Sequence, residues 1–477
     1  MLFNSIQYLV FLPTVFILYW FVFKSRNGRN AFITVASYVF YGWWNTHFLA
    51  LIFGLSLASW LAGLGVAKEN FSKQRRRCIL WSGIAVNLGV LFLFKYFDFF
   101  AFSFTRVLNA MGFVADGITL NLILPVGLSF YVFQAMSYII DVYRGKIRAE
   151  RDPLVFFAFI SFFAQLVAGP IERASNMLPQ FRHAWRRFSY RRGVDGMKLI
   201  LWGLFKKMAV ADNCAITVND IFDNYTTAGT GALWLGAFLF SIQIYCDFSG
   251  YSDIAVGTGR LFGIDLMRNF RNPYFARNIR EFWQRWHISL TNWFRDYVYF
   301  PLGGSRKGKL NTIRNSSAVF LLSGLWHGAS LTFVLWGAFH ALVFMPHIVR
   351  GKQKTKTSAA SIIPPFGESL AMGLTFLTVM VGWVLFRSVS VSSALDYLRL
   401  MFSHFTPLST DIDPLPLILS LFVLATEWFS RNRETPLQFS HRGIWRIRSV
   451  RWATCIALFL FTIIFAGDAR SFIYFRF

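Results

Sequence analysis

Long apolar runs separated by short clusters of lysine and arginine are the feature that most constrains this chain. Charged residues make up 15% of its 477 residues, whereas soluble proteins average roughly 25%. This depletion, with repeated apolar runs long enough to enter a bilayer, indicates an all-α polytopic membrane protein. The formal charge of +25 does not predict nucleic-acid binding, because the basic residues fall between apolar runs, as the positive-inside rule describes.

The basic clusters also predict a topology. The segments predicted to be cytoplasmic are 68–77, 171–193, 260–314, 349–368 and 430–452. No lysine or arginine occurs between Met208 and Gly259, so residues 213–230 should form an external loop between spans over 194–212 and 231–247. The expected total is about ten to twelve membrane elements in one domain, residues 1–477. Four scattered cysteines predict neither a disulfide framework nor a zinc site.

Two segments do not fit a simple alternation of spans. If residues 154–170 crossed the membrane, the basic residues after them would lie outside, so a re-entrant or interfacial element broken at Gly169-Pro170 is predicted instead. The apolar residues 313–325 are too few to span at about 1.5 Å per residue. His327 should therefore lie partway into the bilayer, where the chain turns at Gly324 and Gly328.

A basic, tryptophan-rich segment surrounds His287. If residues 280–297 form one helix, one arc carries polar side chains and the opposite arc carries apolar ones. The polar arc consists of Arg280, Gln284, His287, Thr291 and Arg295, and the apolar arc of Trp283, Trp286, Leu290, Trp293 and Tyr297. One interpretation is an interfacial helix on the cytoplasmic leaflet. The other is a cytoplasmic entrance that holds an anionic substrate.

Two further groups permit a structural and a functional interpretation. His327 is either a hydrogen-bonded core histidine or a general base, since burial would keep its imidazole neutral. Asp247 and Asp253 lie near the end of an apolar span. They either cap a helix and pair with Arg260 or Arg268, or they form a polar wall of an intramembrane cavity.

Five ordered motifs carry a resemblance to a known family. They are Asn269–Tyr274, Glu281–Leu290, Arg295–Gly304, Leu322–Gly328 and the closing Phe472–Phe475. Together they resemble the membrane-bound O-acyltransferase family, and within it the bacterial branch that acetylates polysaccharides. The likeness covers the whole chain, with its core motifs over about 240–348. One departure is Phe162–Gln165, which lacks an expected proline.

The resemblance implies a fold and a set of site residues. The fold is a ring of about ten to twelve transmembrane and re-entrant helices around a central funnel. The family's near-invariant histidine matches His327, and its upstream histidine matches His287, so both are candidate catalytic residues. The candidate substrate-binding residues, from the motifs and polar groups above, are Gln284, Arg295, Trp326, Gln243, Asp247 and Asp253, and no metal ligand is expected.

The expected function is O-acetyl transfer across a bacterial inner membrane by a multi-pass enzyme. Acetyl-CoA is the expected donor, a substrate rather than a bound cofactor. The expected acceptor is an extracytoplasmic acetyltransferase partner or an exported polysaccharide such as alginate, and the protein contacts membrane lipid. A transporter with a histidine proton relay and a scaffold for a polysaccharide synthase are the alternatives. Within the enzyme class, cellulose, peptidoglycan and teichoic acid stay open as acceptors.

Overall fold

The computed structural model describes residues 1–114, 116–167, 169–183, 187–351, 364–403, 406–407, 412–439, 443–467, 470 and 472–473. All regular secondary structure in these residues is helical, which confirms the all-α class. The chain forms two compact units, one of residues 1–193 and 258–267 and one of residues 194–257 and 268–477. One domain over residues 1–477 stays a prediction.

Helices α1 to α9 belong to the first unit, and polar side chains begin several of them. They are α1 Ile6–Ile17, α2 Arg26–Gly42, α3 His47–Val66, α4 Lys73–Leu91, α5 Phe97–Ala110, α6 Leu128–Tyr143, α7 Pro153–Ser161, α8 Phe163–Leu166 and α9 Ala174–Arg182. The Ser25, Ser72 and Asp152 side chains accept hydrogen bonds from backbone N–H groups in the first turns of α2, α4 and α7. These bonds satisfy donors that a helix start leaves without partners.

The second unit begins within α10 and contains the motif-bearing segments. Its helices are α10 Tyr190–Leu204, α11 Asp212–Asp223, α12 Thr230–Leu261, α13 Ile279–Arg285, α14 Ile288–Phe294, α15 Gly308–His327, α16 Leu331–Arg350, α17 Phe366–Arg387, α18 Val391–Met401, α19 Leu415–Ser430 and α20 Arg448–Ile464. Shorter helical segments occur in both units. The 3₁₀ turns are Pro273–Phe275 and Gly443–Arg446, and the π-helical segments are Leu18–Val22, Phe92–Tyr96, Phe205–Ala211 and Arg295–Tyr299.

Several helices are long and apolar enough to cross a membrane. Within the described residues there are five of them: α3, the continuous run Lys73–Ala110, α12, α16 and α17. Shorter apolar helical stretches occupy Ile6–Val22, Pro153–Leu166 and Leu415–Ser430. The protein is thus an all-helical, multi-pass membrane protein, while the ring and its ten to twelve elements stay predictions.

The loop conformation predicted for 213–230 is wrong over most of its length, while the external placement of these residues stays a prediction. Helix α11 occupies Asp212–Asp223, and the π-helical segment Phe205–Ala211 joins it directly to α10. The predicted span 231–247 is likewise only part of α12, which has 32 residues. Asp247 and Asp253 lie inside α12 and do not cap it. Asp212, Asp247 and Asp253 each pair with a lysine.

The predicted interruption near residue 170 is present but begins earlier. Helix α7 ends at Ser161, and Phe162 adopts an extended ψ of 113° before α8 begins. Side chains replace the lost helical hydrogen bonds: the Ser37 hydroxyl accepts from the Phe163 N–H, and the Gln165 amide donates to the Phe159 carbonyl. The break therefore lies within Phe162–Gln165, the segment that lacks the expected proline.

Residues 313–325 lie within α15, which is not among the helices long and apolar enough to cross a membrane, so the prediction that they do not span is not contradicted. Helix α15 has 20 residues, from Gly308 to His327, which corresponds to about 30 Å. Lys309 and Arg314 fall in its first two turns, and Arg314 lies within the range 313–325 that was counted as apolar. The predicted turn at Gly328 is confirmed, whereas Gly324 lies inside the helix.

In the predicted loop 349–368, residues 352–363 lie outside the described residues.

Candidate active site

The hairpin of α15 and α16 places His327 at a chain reversal. His327 is the last residue of α15, and Gly328 follows with an extended backbone. A Cβ atom at Gly324 would lie 2.2 Å from the Phe333 carbonyl oxygen, and one at Gly337 would lie 2.5 Å from the Phe320 carbonyl oxygen. Only glycine permits this approach, so the two helices pack backbone to backbone beside His327.

Aromatic rings surround the imidazole of His327. The residue is 4% exposed, and its ring centroid lies 5.0 Å from Trp326, 5.1 Å from Trp336 and 5.3 Å from Phe386. Such apolar surroundings disfavour a charged imidazolium. The predicted burial of His327 is confirmed.

The continuous helix predicted over 280–297 is wrong. The chain forms α13 and α14 with a break between them, where His287 has a φ of +41° in the left-handed region. Asn269 stabilises this break: its carbonyl accepts the Ile288 N–H at 2.9 Å, and its side-chain oxygen accepts the Ser289 N–H at 3.2 Å. Left-handed backbone is uncommon for a residue with a side chain and often marks a functional site.

The break turns His287 inward. It is 1% exposed and packs at 4.7 Å from the ring of Phe248 and 5.8 Å from that of Trp326. His287 lies outside the apolar helices that could cross a membrane, and burial lowers the pKa of its imidazole to about 3. Trp326 contacts both histidine rings, so the structure brings His287, Trp326 and His327 together.

Gln284 and Arg295 do not join this group. Both side chains are exposed, and the Arg295 guanidinium pairs with the neighbouring Asp296 at 2.9 Å. The predicted polar arc that united them with His287 is not formed, because the break at His287 changes the direction of the chain. A substrate-binding role for Gln284 and Arg295 stays a prediction.

The two predicted acidic residues pair with lysines instead of Arg260 or Arg268. The Lys207 ammonium lies 2.8 Å from both Asp247 and Asp212, and all three side chains are at most 4% exposed. Lys206 pairs with Asp253 at 2.8 Å and donates to the Ser249 hydroxyl at 2.8 Å. Buried charges need partners of opposite charge. Lys206 and Lys207, consecutive residues of the π-helical segment Phe205–Ala211, pair here with the three aspartates.

Sequence reasoning missed Lys206 and Lys207. The signal was present, since two lysines stand inside the otherwise apolar stretch 199–211 and ionisable residues in such places are rare. Their partners could not be identified, because Asp247 and Asp253 are 40 or more positions further along the chain.

The end of the chain also contributes to this region. The Asp247 side chain accepts a hydrogen bond from the Ile473 N–H at 2.7 Å. Phe472 packs at 5.5 Å from Phe248, the ring that contacts His287. The closing motif Phe472–Phe475 thus contains residues of the site, while its last two positions lie outside the described residues.

A cavity of about 310 Å³ opens beside these groups. Gln243 and Asp247 line it, as the cavity-wall interpretation of this segment predicts, and Asp253 does not. Phe386 belongs to its lining and also contacts the ring of His327. Phe386 therefore contacts both the cavity and the buried imidazole.

Comparison with known proteins adds a second line of information. A sequence model of the membrane-bound O-acyltransferase family matches residues 146–361, a range that includes His287 and His327. A probable alginate O-acetylase AlgI of Pseudomonas putida is 39% identical over 409 residues, 84% of this chain and 80% of that protein. A peptidoglycan O-acetyltransferase of Helicobacter pylori is 34% identical over 429 residues, 84% and 79% respectively. A teichoic acid D-alanyltransferase of Bacillus subtilis is 31% identical over 238 residues, 47% and 58% respectively.

Proposed function

Because the chain belongs to the membrane-bound O-acyltransferase family, we propose that this O-acyltransferase uses acetyl-CoA and that His327 is its general base. The observation that carries the proposal is the placement of His327. It ends a 20-residue helix at a chain reversal, buried against Trp326, which also contacts His287. An imidazole kept neutral by apolar surroundings can accept a proton from a hydroxyl group.

The proposed reaction needs one proton to move. His327 takes the proton of the acceptor hydroxyl while the hydroxyl oxygen forms a bond to the thioester carbonyl carbon. The carbon–sulfur bond then breaks, the thiolate leaves, and the imidazolium returns the proton to it. Since a thioester is already activated, positioning accounts for most of the remaining task. His287 is proposed to orient the reacting groups through Trp326, with which both histidine rings are in contact.

The proposed setting is the inner membrane of a bacterium, with the donor on the cytoplasmic side. The acceptor is proposed to be an exported polysaccharide such as alginate, reached directly or through an extracytoplasmic acetyltransferase. Relatives named as an alginate O-acetylase and a peptidoglycan O-acetyltransferase support a polymer of the cell exterior. The peptidoglycan relative covers as much of this chain as the alginate relative does, so peptidoglycan is the second candidate acceptor.

The test compares His327→Ala with wild-type protein in proteoliposomes that receive labelled acetyl-CoA on one side. Removal of a general base lowers rates by about 100-fold or more, so CoA release and acetyl-ester formation should both fall by at least that factor. His47→Ala is the matched control, because His47 is exposed at the start of α3. Full ester formation by His327→Ala at equal protein level would contradict the proposal. Label that crosses the membrane without CoA release would instead identify a transporter.

A further inference from the structure

Trp336 carries a buried hydrogen-bond donor beside the candidate general base. It lies in the second turn of α16 and is fully buried. Its Nε1 atom has no hydrogen-bond acceptor within the described part of the chain, and its ring centroid lies 5.1 Å from that of His327. Native proteins seldom keep buried polar atoms without partners. A donor left open next to a reacting group suggests that the substrate supplies the acceptor.

Two other indoles near Trp336 also lack an acceptor, so this property alone does not single it out. Trp283 and Trp383 are buried, and their Nε1 atoms have no partner among the described residues either. Their ring centroids lie 5.7 Å and 6.1 Å from that of Trp336. Within the described residues neither ring contacts His327. Of these three indoles, Trp336 is therefore the one that touches the base.

The packing around Trp336 fixes the position of its ring. The next residue is Gly337, where a Cβ atom would lie 2.5 Å from the Phe320 carbonyl oxygen, so α16 lies directly against α15. The ring of His340 packs against Trp336 with centroids 4.8 Å apart. His340 in turn lies against α17, where a Cβ atom at Gly382 would be 2.9 Å from the His340 Nε2 atom. A donor that is fixed in advance needs no reorganisation when charge develops near it.

The proposed reaction creates a charge that such a donor can stabilise. When the acceptor hydroxyl oxygen bonds to the thioester carbonyl carbon, the π electrons of the carbonyl bond move to its oxygen. This oxyanion lasts until the carbonyl bond forms again and the thiolate leaves. An acyl carbon that reacts beside His327 lies close to the rings in contact with His327, and Trp336 is one of them. Hydrogen-bond donors at the site of a developing oxyanion lower the barrier to its formation.

We propose that the indole N–H of Trp336 donates a hydrogen bond to this oxyanion and that Trp336 is a further catalytic residue. The indole keeps its proton throughout, and the proton of the acceptor hydroxyl moves through His327 as before. The inference rests on the proposed function, because it adds a residue to the same reaction.

The first experiment removes the N–H group and keeps an aromatic ring. Trp336→Phe should lower kcat for CoA release from acetyl-CoA by about 100- to 1,000-fold, the loss typical of one oxyanion donor, and leave KM nearly unchanged. Trp283→Phe is the matched control, because it alters a buried indole that contacts Trp336 but not His327, and it should keep the wild-type kcat. Equal losses in the two variants, or a higher KM at wild-type kcat in Trp336→Phe, would overturn the inference.

The second experiment uses a donor whose oxyanion is more stable by itself. The fluorine atom of fluoroacetyl-CoA withdraws electrons from the carbonyl group, so the loss of rate in Trp336→Phe should be several-fold smaller with fluoroacetyl-CoA than with acetyl-CoA. Both donors are measured on one preparation, so a smaller folded fraction of the variant cancels in the ratio. Equal losses with the two donors would show a structural defect and refute the role of Trp336. CoA release that does not depend on His327 would instead contradict the proposed function.

Discussion

At the scale of single residues, the protein buries several ionisable groups beside partners of opposite charge. Lys207 shows this most clearly, since its ammonium group contacts Asp212 and Asp247 with almost no solvent exposure. Charges in such surroundings are stable only while their partners are present. The same carboxylate of Asp247 also holds the backbone of Ile473. The Lys207–Asp247 ion pair therefore holds both the wall of the cavity and the backbone at Ile473 in place.

Lys207→Met should lower the free energy of unfolding by about 3–5 kcal/mol, because it leaves two buried carboxylates without their cation. Thermal or denaturant unfolding of the purified protein would measure the change. Lys146→Met is the control: Lys146 pairs with Asp141 at 3.5 Å but is 53% exposed, so its loss should change stability by less than about 1 kcal/mol.

A compensated variant separates the ionic explanation from a simple packing defect. Lys207→Met combined with Asp212→Asn and Asp247→Asn removes both orphaned charges, and neutral replacements of buried ionic groups are often tolerated. This triple variant should regain most of the stability that Lys207→Met loses. If it is no more stable than the single variant, the buried charges are not the cause.

At the scale of helices, close packing of α10 against α12 makes these ion pairs possible. A Cβ atom at Gly203 would lie 2.6 Å from the Gly250 carbonyl oxygen, and one at Gly250 would lie 2.7 Å from the Gly203 carbonyl oxygen. The two backbones therefore touch where the π-helical segment Phe205–Ala211 begins. Small residues at such crossings are common in membrane proteins. This crossing places Lys206 and Lys207 beside the acidic residues of α12.

Gly250→Ala should force α10 and α12 apart, because its methyl group would overlap the Gly203 carbonyl oxygen. Overpacking of this kind lowers stability by about 1–3 kcal/mol, and the displacement should also reduce acetyl transfer. Gly373→Ala is the control, since no heavy atom lies within 4 Å of the added Cβ and alanine favours a helix more than glycine does. Unfolding midpoints of the two variants measure the contrast, and equal stability would show that the crossing tolerates a side chain.

The break at His287 shows what periodicity cannot predict. Residues 280–297 follow a helical pattern of polar and apolar positions, and the chain nevertheless divides into α13 and α14. The cause lies outside the segment, in Asn269, whose carbonyl and side chain bind the N–H groups after the break. A long-range hydrogen bond partner thus overrides the local pattern and buries the histidine.

At the scale of the whole molecule, the distribution of basic residues predicts which segments face the cytoplasm. Lys307 precedes α15 in the densely basic part of the chain, and Asp220 lies in the part that lacks lysine and arginine. Both side chains are exposed. The rule therefore expects them on opposite sides of the membrane.

Cysteine labelling checks this topology. In a background with the four native cysteines replaced by serine, a membrane-impermeant maleimide added to intact cells should label Asp220→Cys. Lys307→Cys should react only after the membrane is permeabilised, because the positive-inside rule places it in the cytoplasm. Labelling of both variants in intact cells, or of Lys307→Cys alone, would refute the predicted orientation.

The sequence by itself determined that the protein is an all-helical, multi-pass membrane protein of an acyltransferase family, with a buried His327. These conclusions follow from apolar length, charge placement and ordered motifs, all of which are local properties of the chain. Only the tertiary structure decided the break at His287, the pairing of Lys206 and Lys207 with acidic residues of α12, and the cavity beside Phe386. These features depend on contacts between residues far apart in the chain, and their burial stabilises arrangements that no local pattern specifies.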